Sequence, residues 1–284
     1  VKGAHKHATR LAFAPRTIKG GRYRFEIATA GAASMLFGAV LPALLFAPQP
    51  SEVTLTGGTH VQFSPPFHYL QKVFLPGLRR LGGRIDLELV RWGFYPRGGG
   101  EMRAHINPCS GLHGVQLAKR GKLKSLQLSA CSSTHLPGHI VRREIDYAEK
   151  YLTIYKDRLG TTALACESYS PGNFVFLEAG YEHATAGFSA LGKRGKPAEE
   201  VAEEACRYFN DFEKTAATVD SHLADQLILY MALAHGDSFF IAEKITSHMT
   251  TNIAVIRKFL PVSIDLEIST GQVTVKGSGH RGPK

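Results

Sequence analysis

Cysteine, tryptophan and methionine are scarce, at four, one and four residues in a chain of 284. Cys109, Cys131, Cys166 and Cys206 form no CxxC pair and stand at no zinc-finger spacing. That excludes a disulfide scaffold and a structural zinc ribbon, and fits idle thiols in a reducing compartment. No Walker phosphate loop, GxSxG elbow, HExxH or EF-hand loop occurs, and the thirteen histidines do not cluster at metal-ligand spacing. Charge is missing from Ile27 to Ser51, a run long enough to cross a bilayer. Its first half, however, is dominated by Ala, Gly, Ser and Thr, Pro42 interrupts it, and no second such run follows, so it reads as a buried helix.

Apolar residues make up 44% and charged residues 20%, which excludes wholesale disorder, collagen and a coiled-coil rod. The length suits one large or two ordinary domains. Basic side chains outnumber acidic ones 34 to 24, a net +10 that favours anionic partners, most simply nucleic acid or nucleotides.

The basic opening, 1–10, reads as frayed or truncated. Strands are predicted over 11–14 and 23–27, and a helix over 30–46. A β segment over 53–56 ends in the turn Gly57-Gly58-Thr59-His60. Pro65-Pro66 opens a second helix through Tyr69, Val73, Leu78 and Leu81. Ile85, Leu87 and Leu89 alternate with Asp86 and Glu88 as in a half-buried strand, and another strand follows over 101–106. The same order returns late in the chain. A helix from Ser221 leads to a strand over 238–245, then to the turn Thr246-Ser247-His248, then to a helix carrying Ile253, Ile256 and Leu260. A hairpin over 262–268 and 273–275, turned at Gly271, closes it. Two copies of one supersecondary unit imply a duplicated architecture in which His60 and His248 occupy equivalent places.

Between the copies the pattern differs, with strands over 126–130, 163–168 and 173–179 and helices over 141–151 and 197–212. The expected division is a large domain's first part over 1–120, an inserted α/β subdomain over 121–213, the large domain's last repeat over 214–276 and a flexible polar tail over 277–284.

Five segments could carry chemistry. In Thr246-Ser247-His248-Met249-Thr250-Thr251-Asn252, Thr250 or Thr251 is a good N-cap, which sets His248 just ahead of a helix N-terminus. Free amides and the helix dipole make such a place an anion site, and a neutral imidazole there can attack phosphorus. The plain alternative is a turn histidine that only hydrogen-bonds. In His222-Leu223-Ala224-Asp225-Gln226 an acid lies in the first turn of an apolar helix. It is either a dipole partner or a contact to ribose or metal, with His222 stacked on a base. Pro65 and Tyr69 can form an aromatic slot for a base. Tyr95-Pro96-Arg97-Gly98-Gly99-Gly100 lets backbone approach a phosphate closely, or is simply a wide hairpin turn. Arg22 and Arg24, with Arg16 and Lys19, form a basic patch suited to phosphates, or a solvated strand face.

Together these segments resemble the RNA 3′-terminal phosphate cyclase family. The resemblance runs from about Leu11 to Val275 and rests on Lys19-Gly20-Gly21-Arg22-Tyr23-Arg24-Phe25, Thr56-Gly57-Gly58-Thr59, Ser64-Pro65-Pro66, Gly93 to Gly100, His222 to Gln226 and His248 to Asn252. It implies an α/β (α+β) fold, in which repeated units of two helices on a four-stranded sheet form a large domain that carries a smaller inserted α/β domain. It also implies an ATP-dependent conversion of an RNA 3′-terminal phosphate to a 2′,3′-cyclic phosphate through a histidine–AMP adduct. His248 would be the nucleophile. His222, Leu223, Ala224, Asp225 and Gln226 would hold the nucleotide, with Pro65, Tyr69 and His222 around adenine. Asp225 would touch the nucleotide or a divalent metal, Mg2+ or Mn2+, and Arg22, Arg24 and Arg97 would contact RNA phosphates. Two departures stand out. A glycine-rich and an arginine-rich stretch that precede the matching region in the family are not in this sequence, and Gly38 stands where relatives carry a nucleotide-contacting Gln. These favour a second expectation, a non-catalytic cyclase-like RNA-binding protein of ribosome biogenesis. A cytoplasmic location, no membrane association and a homodimer complete the expectations.

Overall fold

The computed structural model describes residues 1–282. Three four-stranded sheets organise it. The first unit starts with the edge strand β1 (Gly21–Glu26), which turns Tyr23 and Phe25 inward and Arg22 and Arg24 outward. Helix α1 (Ala33–Leu45) follows. Phe37, Leu41 and Leu45 recur along one side of it and are fully buried. The charge-free run is therefore a core helix, and no helix among the described residues is long and apolar enough to cross a membrane.

Strand β2 (Ser51–Gly57) leads to α2 (Phe67–Tyr69), a π-helical stretch Leu70–Phe74 and α3 (Leu75–Arg80). These three pieces run on as one helix with a wide turn in its middle. Strands β3 (Arg84–Arg91) and β4 (Gly100–Asn107) complete the order β1-β2-β4-β3, in which β1 and β2 are parallel and the other neighbours antiparallel.

The second unit repeats this plan with α6 (Ser221–Leu233), β10 (Asp237–Ile241), α7 (Ser247–Phe259), β11 (Ser263–Glu267) and β12 (Gln272–Lys276). Its sheet order is β11-β12-β10-β5, where β5 (Gln116–Leu117) pairs parallel with β10. Strand for strand, β5, β10, β11 and β12 take the places of β1, β2, β3 and β4. The parallel bridge Ala32–Gly58 of the first unit has its counterpart in Val219–Ala242. Strand β5 has only two residues, too few for an alternation to register in sequence.

The intervening chain forms β6 (Leu123–Ser133), α4 (His139–Tyr151), β7 (Leu159–Cys166), β8 (Asn173–Tyr181), β9 (Thr185–Leu191) and α5 (Ala198–Glu213), with sheet order β7-β6-β8-β9. Strand β9 is rich in small residues, which hides it from a propensity reading. Strand β8 is covered on both faces. Val175 and Leu177 pack with Phe209 and Phe212 in the local core, while Phe174 and Phe176 reach into the main core shared by the two repeated units. All four cysteines are free thiols.

Two expectations fail here. Residues 11–14 form no strand. Ala12 makes a single bridge to Lys2, and Leu11 and Phe13 stay exposed because no neighbouring strand offers a ladder. The tail is not free through residue 282. The last carbonyls of a helix have no partner within it, and at the end of α6 the tail supplies donors. Ser278, His280 and Gly279 donate to Ala232, Leu233 and Ala234 at 2.8–2.9 Å. The His280 ring meets Phe46 edge-on at 4.7 Å. Pro283 and Lys284 lie outside the described residues.

Deleting residues 277–284 therefore removes three helix-end hydrogen bonds, at about 1 kcal/mol each. Scanning calorimetry should register a melting temperature about 5–10 °C lower; an unchanged temperature would show that the tail caps nothing.

Candidate active site

Helix α7 starts at Ser247, one residue before His248. Thr246 is its N-cap, with Oγ1 accepting the Met249 amide at 3.1 Å. This corrects the expected cap. The hydroxyls of Thr250 and Thr251 instead fold back onto the Ser247 carbonyl within the helix. His248 thus lies in the first turn, where the leading amides have no intrahelical acceptor. Met249, Ile253 and Ile256 are buried and fix the helix, leaving the His248 side chain 76% exposed.

His248 Nδ1 lies 2.5 Å from Asp225 Oδ2, and the Asn252 side-chain amide donates to Asp225 Oδ1. His248 and Asn252 are four apart, so both project from one side of α7 toward α6. An ionised carboxylate only accepts, so a neutral His248 ring in this contact carries its hydrogen on Nδ1 and its lone pair on Nε2. The result is an oriented, exposed nitrogen base at the head of a helix. Asn252 is the partner the sequence reading left without a role. Its spacing from His248 was the signal.

Asp220 organises the other residues of the segment. It caps α6, accepting the amides of His222 and Leu223 at 3.1 and 3.0 Å. It also accepts the Tyr69 hydroxyl at 2.6 Å and the Gly187 amide of β9 at 3.5 Å. Burial pushes the Asp220 carboxyl upward against these partners, and pushes the Tyr69 hydroxyl well above its usual range. Tyr69 therefore has no open face for a base. It is buried and supports His222, whose ring it meets edge-on at 6.1 Å. Leu223 and Ala224 are also buried, facing the core and not a ligand. His222 is exposed and Pro65 half-buried. Gln226 Oε1 is buried without a hydrogen-bond partner among the described residues.

The predicted phosphate contacts have partners other than this cluster. Arg22 and Arg24 lie on the outer face of β1, paired with Glu52 at 2.9 Å and Glu26 at 2.7 Å. Arg97 is exposed, and its amide is held by Ser170 Oγ at 3.0 Å. No described hydrogen bond or ion pair joins these arginines to Asp225 or His248. The metal role expected of Asp225 does not fit either. Both its oxygens are engaged, by His248 and Asn252, and no group of three or more candidate ligands occurs among the described residues.

His60, the topological counterpart of His248, has the opposite surroundings. It is buried and stacked on Trp92 at 4.1 Å, with Phe174 edge-on at 4.6 Å. Thr59 Oγ1 accepts the Gly93 amide at 2.9 Å and shares a hydrogen bond with His60 Nδ1, also at 2.9 Å. His60 Nε2 and His68 Nδ1 share a second hydrogen bond at 2.9 Å, one ring donating to the other. Burial, and then the neighbouring charge, keep both rings neutral. His60 falls well below the usual imidazole value, and His68, beside Lys72, falls to about 4.

This fold presents an exposed imidazole, faced by a carboxylate, in the first turn of a helix on a duplicated α/β scaffold with an inserted third sheet. A family profile for the RNA 3′-terminal phosphate cyclase matches residues 1–266. A protein of that name from Pseudomonas fluorescens is 44% identical over 95% of this chain and 78% of its own length. The namesakes from Ralstonia nicotianae and Pyrobaculum aerophilum are 42% and 37% identical, over 94% and 98% of this chain and 76% and 80% of their own. The chain belongs to the RNA 3′-terminal phosphate cyclase family.

The histidine pair has a measurable consequence. With folded values below the unfolded one, the unfolded chain binds more protons between pH 6.5 and about 4, so this contribution is intact above pH 6.5 and is lost on acidification. Glu144, which burial raises to about 8, acts in the opposite direction, so the His68 contribution is isolated by difference. Urea unfolding of the wild-type chain should lose about 1.4 kcal/mol more per pH unit between pH 6 and 5 than His68→Gln. Equal slopes would mean that His68 is not held neutral.

Proposed function

We propose that this chain converts RNA 3′-terminal phosphates to 2′,3′-cyclic phosphates at the expense of ATP, with His248 as the nucleophile. The observation that carries the reading is the Asp225 carboxylate on His248 Nδ1, which leaves Nε2 free to attack.

In the first step Nε2 forms a bond to the α-phosphorus of ATP and pyrophosphate leaves. Positive charge on the imidazole is balanced by Asp225, and the head of α7 favours the phosphate oxygens. In the second step an oxygen of the RNA 3′-phosphate takes AMP from His248, and the imidazole leaves as a neutral ring. In the third the adjacent 2′-hydroxyl attacks the terminal phosphorus, its proton is lost and AMP departs. One difficult condensation becomes three transfers between good leaving groups. His222 and Pro65 would flank adenine. The unpartnered Gln226 oxygen, costly to bury alone, suits a ribose hydroxyl or an amino group. Arg22, Arg24 and Arg97 are proposed for RNA phosphates. ATP brings Mg2+ or Mn2+ on its phosphates in this reading, and no step relies on a protein ligand to it.

The test is incubation with α-labelled ATP and a divalent metal, followed by a search for acid-labile label on the protein. Wild-type chain should be labelled and His248→Ala should not. Label surviving in that variant would overturn the assignment, and no label on the wild type would favour the RNA-binding reading. Asp225→Ala should slow labelling about a hundred- to ten-thousand-fold, the cost of losing the tautomer and its countercharge.

A further inference from the structure

Phe63 is 96% exposed, the most exposed large hydrophobic side chain among the described residues. Its φ of 61° lies in the left-handed region, which among described non-glycine residues only His7 shares. Two penalties thus coincide at one position, an apolar ring in water and a bulky residue in a conformation that L side chains avoid. Such strain persists only where the surroundings over-determine it.

Here they do. The Phe67 amide donates to the Thr59 carbonyl at 3.0 Å, closing the base of the loop. The His60–His68 bond fastens the same base a second time. Ser64 Oγ donates to the Val61 carbonyl at 3.0 Å across the tip. Pro65 and Pro66 stiffen the exit. The loop is stapled, and what it holds out is one bare aromatic ring that contributes nothing to the core.

The ring stands two residues from Pro65, on the loop that leads to Tyr69, Asp220 and His222. The Gly93 carbonyl accepts the amides of Thr59 and His60, which ties the loop to the turn carrying exposed Tyr95 and Arg97. We propose that Phe63 stacks on an unpaired base at the 3′ end of the RNA. Stacking tolerates any base, because each has a π-face, and a preformed ring loses little entropy on binding. The proposed nucleotide reading gives the adenine of ATP to Pro65 and His222, and the chain's net charge of +10 suits a polyanionic strand. This inference rests on the RNA reading given under Proposed function.

The probe is a single-stranded oligoribonucleotide with a 3′-phosphate and 2-aminopurine as its last base. Binding to the full chain should quench the fluorophore. Phe63→Ala should abolish the quench and weaken binding about tenfold, while Phe63→Trp retains both. An oligonucleotide lacking its terminal base should bind the wild type about tenfold more weakly and should lose nothing further with Phe63→Ala. Phe63→Gly, which suits the left-handed backbone, should match Phe63→Ala in affinity and melt no lower than the wild type.

Unchanged RNA affinity in Phe63→Ala overturns the proposal, as do independent penalties from the variant and the missing base. A lower melting temperature in Phe63→Gly would make the ring structural. A raised KM for ATP with unchanged RNA affinity would give the ring to adenine. Loss of self-association in sedimentation would give it to a second copy. The labelling of wild-type protein by ATP is read separately, so its failure would sink the cyclase mechanism while the binding cycle still decides the role of Phe63.

Discussion

One buried carboxylate holds three parts of the molecule in register. Asp220 caps α6, receives the Tyr69 hydroxyl from α2 and takes an amide from β9 of the inserted sheet. Each contact comes from a different segment, so the position of α6 relative to both neighbours is set at one point. Asp225 rides on α6 little more than one turn further along. The aim of His248 therefore depends on a side chain that no ligand would touch. Truncating such a group leaves a buried hydroxyl and two helix amides without partners, which is why buried polar hubs of this kind are fully satisfied or absent.

Much of this was legible in the order of elements. The duplication is visible because each unit needs the same sequence of apolar periods, and chain order alone places the two turn histidines in equivalent positions. The helix heads were harder. Thr246, Thr250 and Thr251 are all credible caps, and only geometry shows which hydroxyl reaches an amide. Tyr69 looked like a stacking residue because residue type does not say which way a ring faces. The Asp225–His248 contact joins two helices across an intervening strand, a relation no local pattern carries. The tail looked free because its composition is polar and glycine-rich. Its amides, which every residue except proline possesses, are what bind it.

The two equivalent histidines show how one scaffold position acquires different chemistry. Both follow the strand second from one edge of a four-stranded sheet. At His60 the inserted sheet reaches over with Phe174, and Trp92 closes the other side, so the ring is dry and neutral. At His248 the ring is largely exposed, and a carboxylate meets it from behind. The backbone plan supplies the place and the neighbours decide the use. In the first unit the result is a staple for a loop. In the second it is an exposed ring whose Nδ1 faces a carboxylate.

The wide turn at Leu70–Phe74 fixes the phase of what lies on either side of it. Each residue of an ordinary helix turns the chain by about 100°, so a surplus residue absorbed in a π turn sets the faces before and after it out of step with simple periodicity. Tyr69 must look toward Asp220 while Leu75 and Leu78 look into the core. A chain one residue shorter here would have a more regular helix, yet it could not satisfy both demands. The length of this segment is thus under a tighter constraint than most of its letters, and descendants of the fold can exchange its side chains more freely than they can change its count.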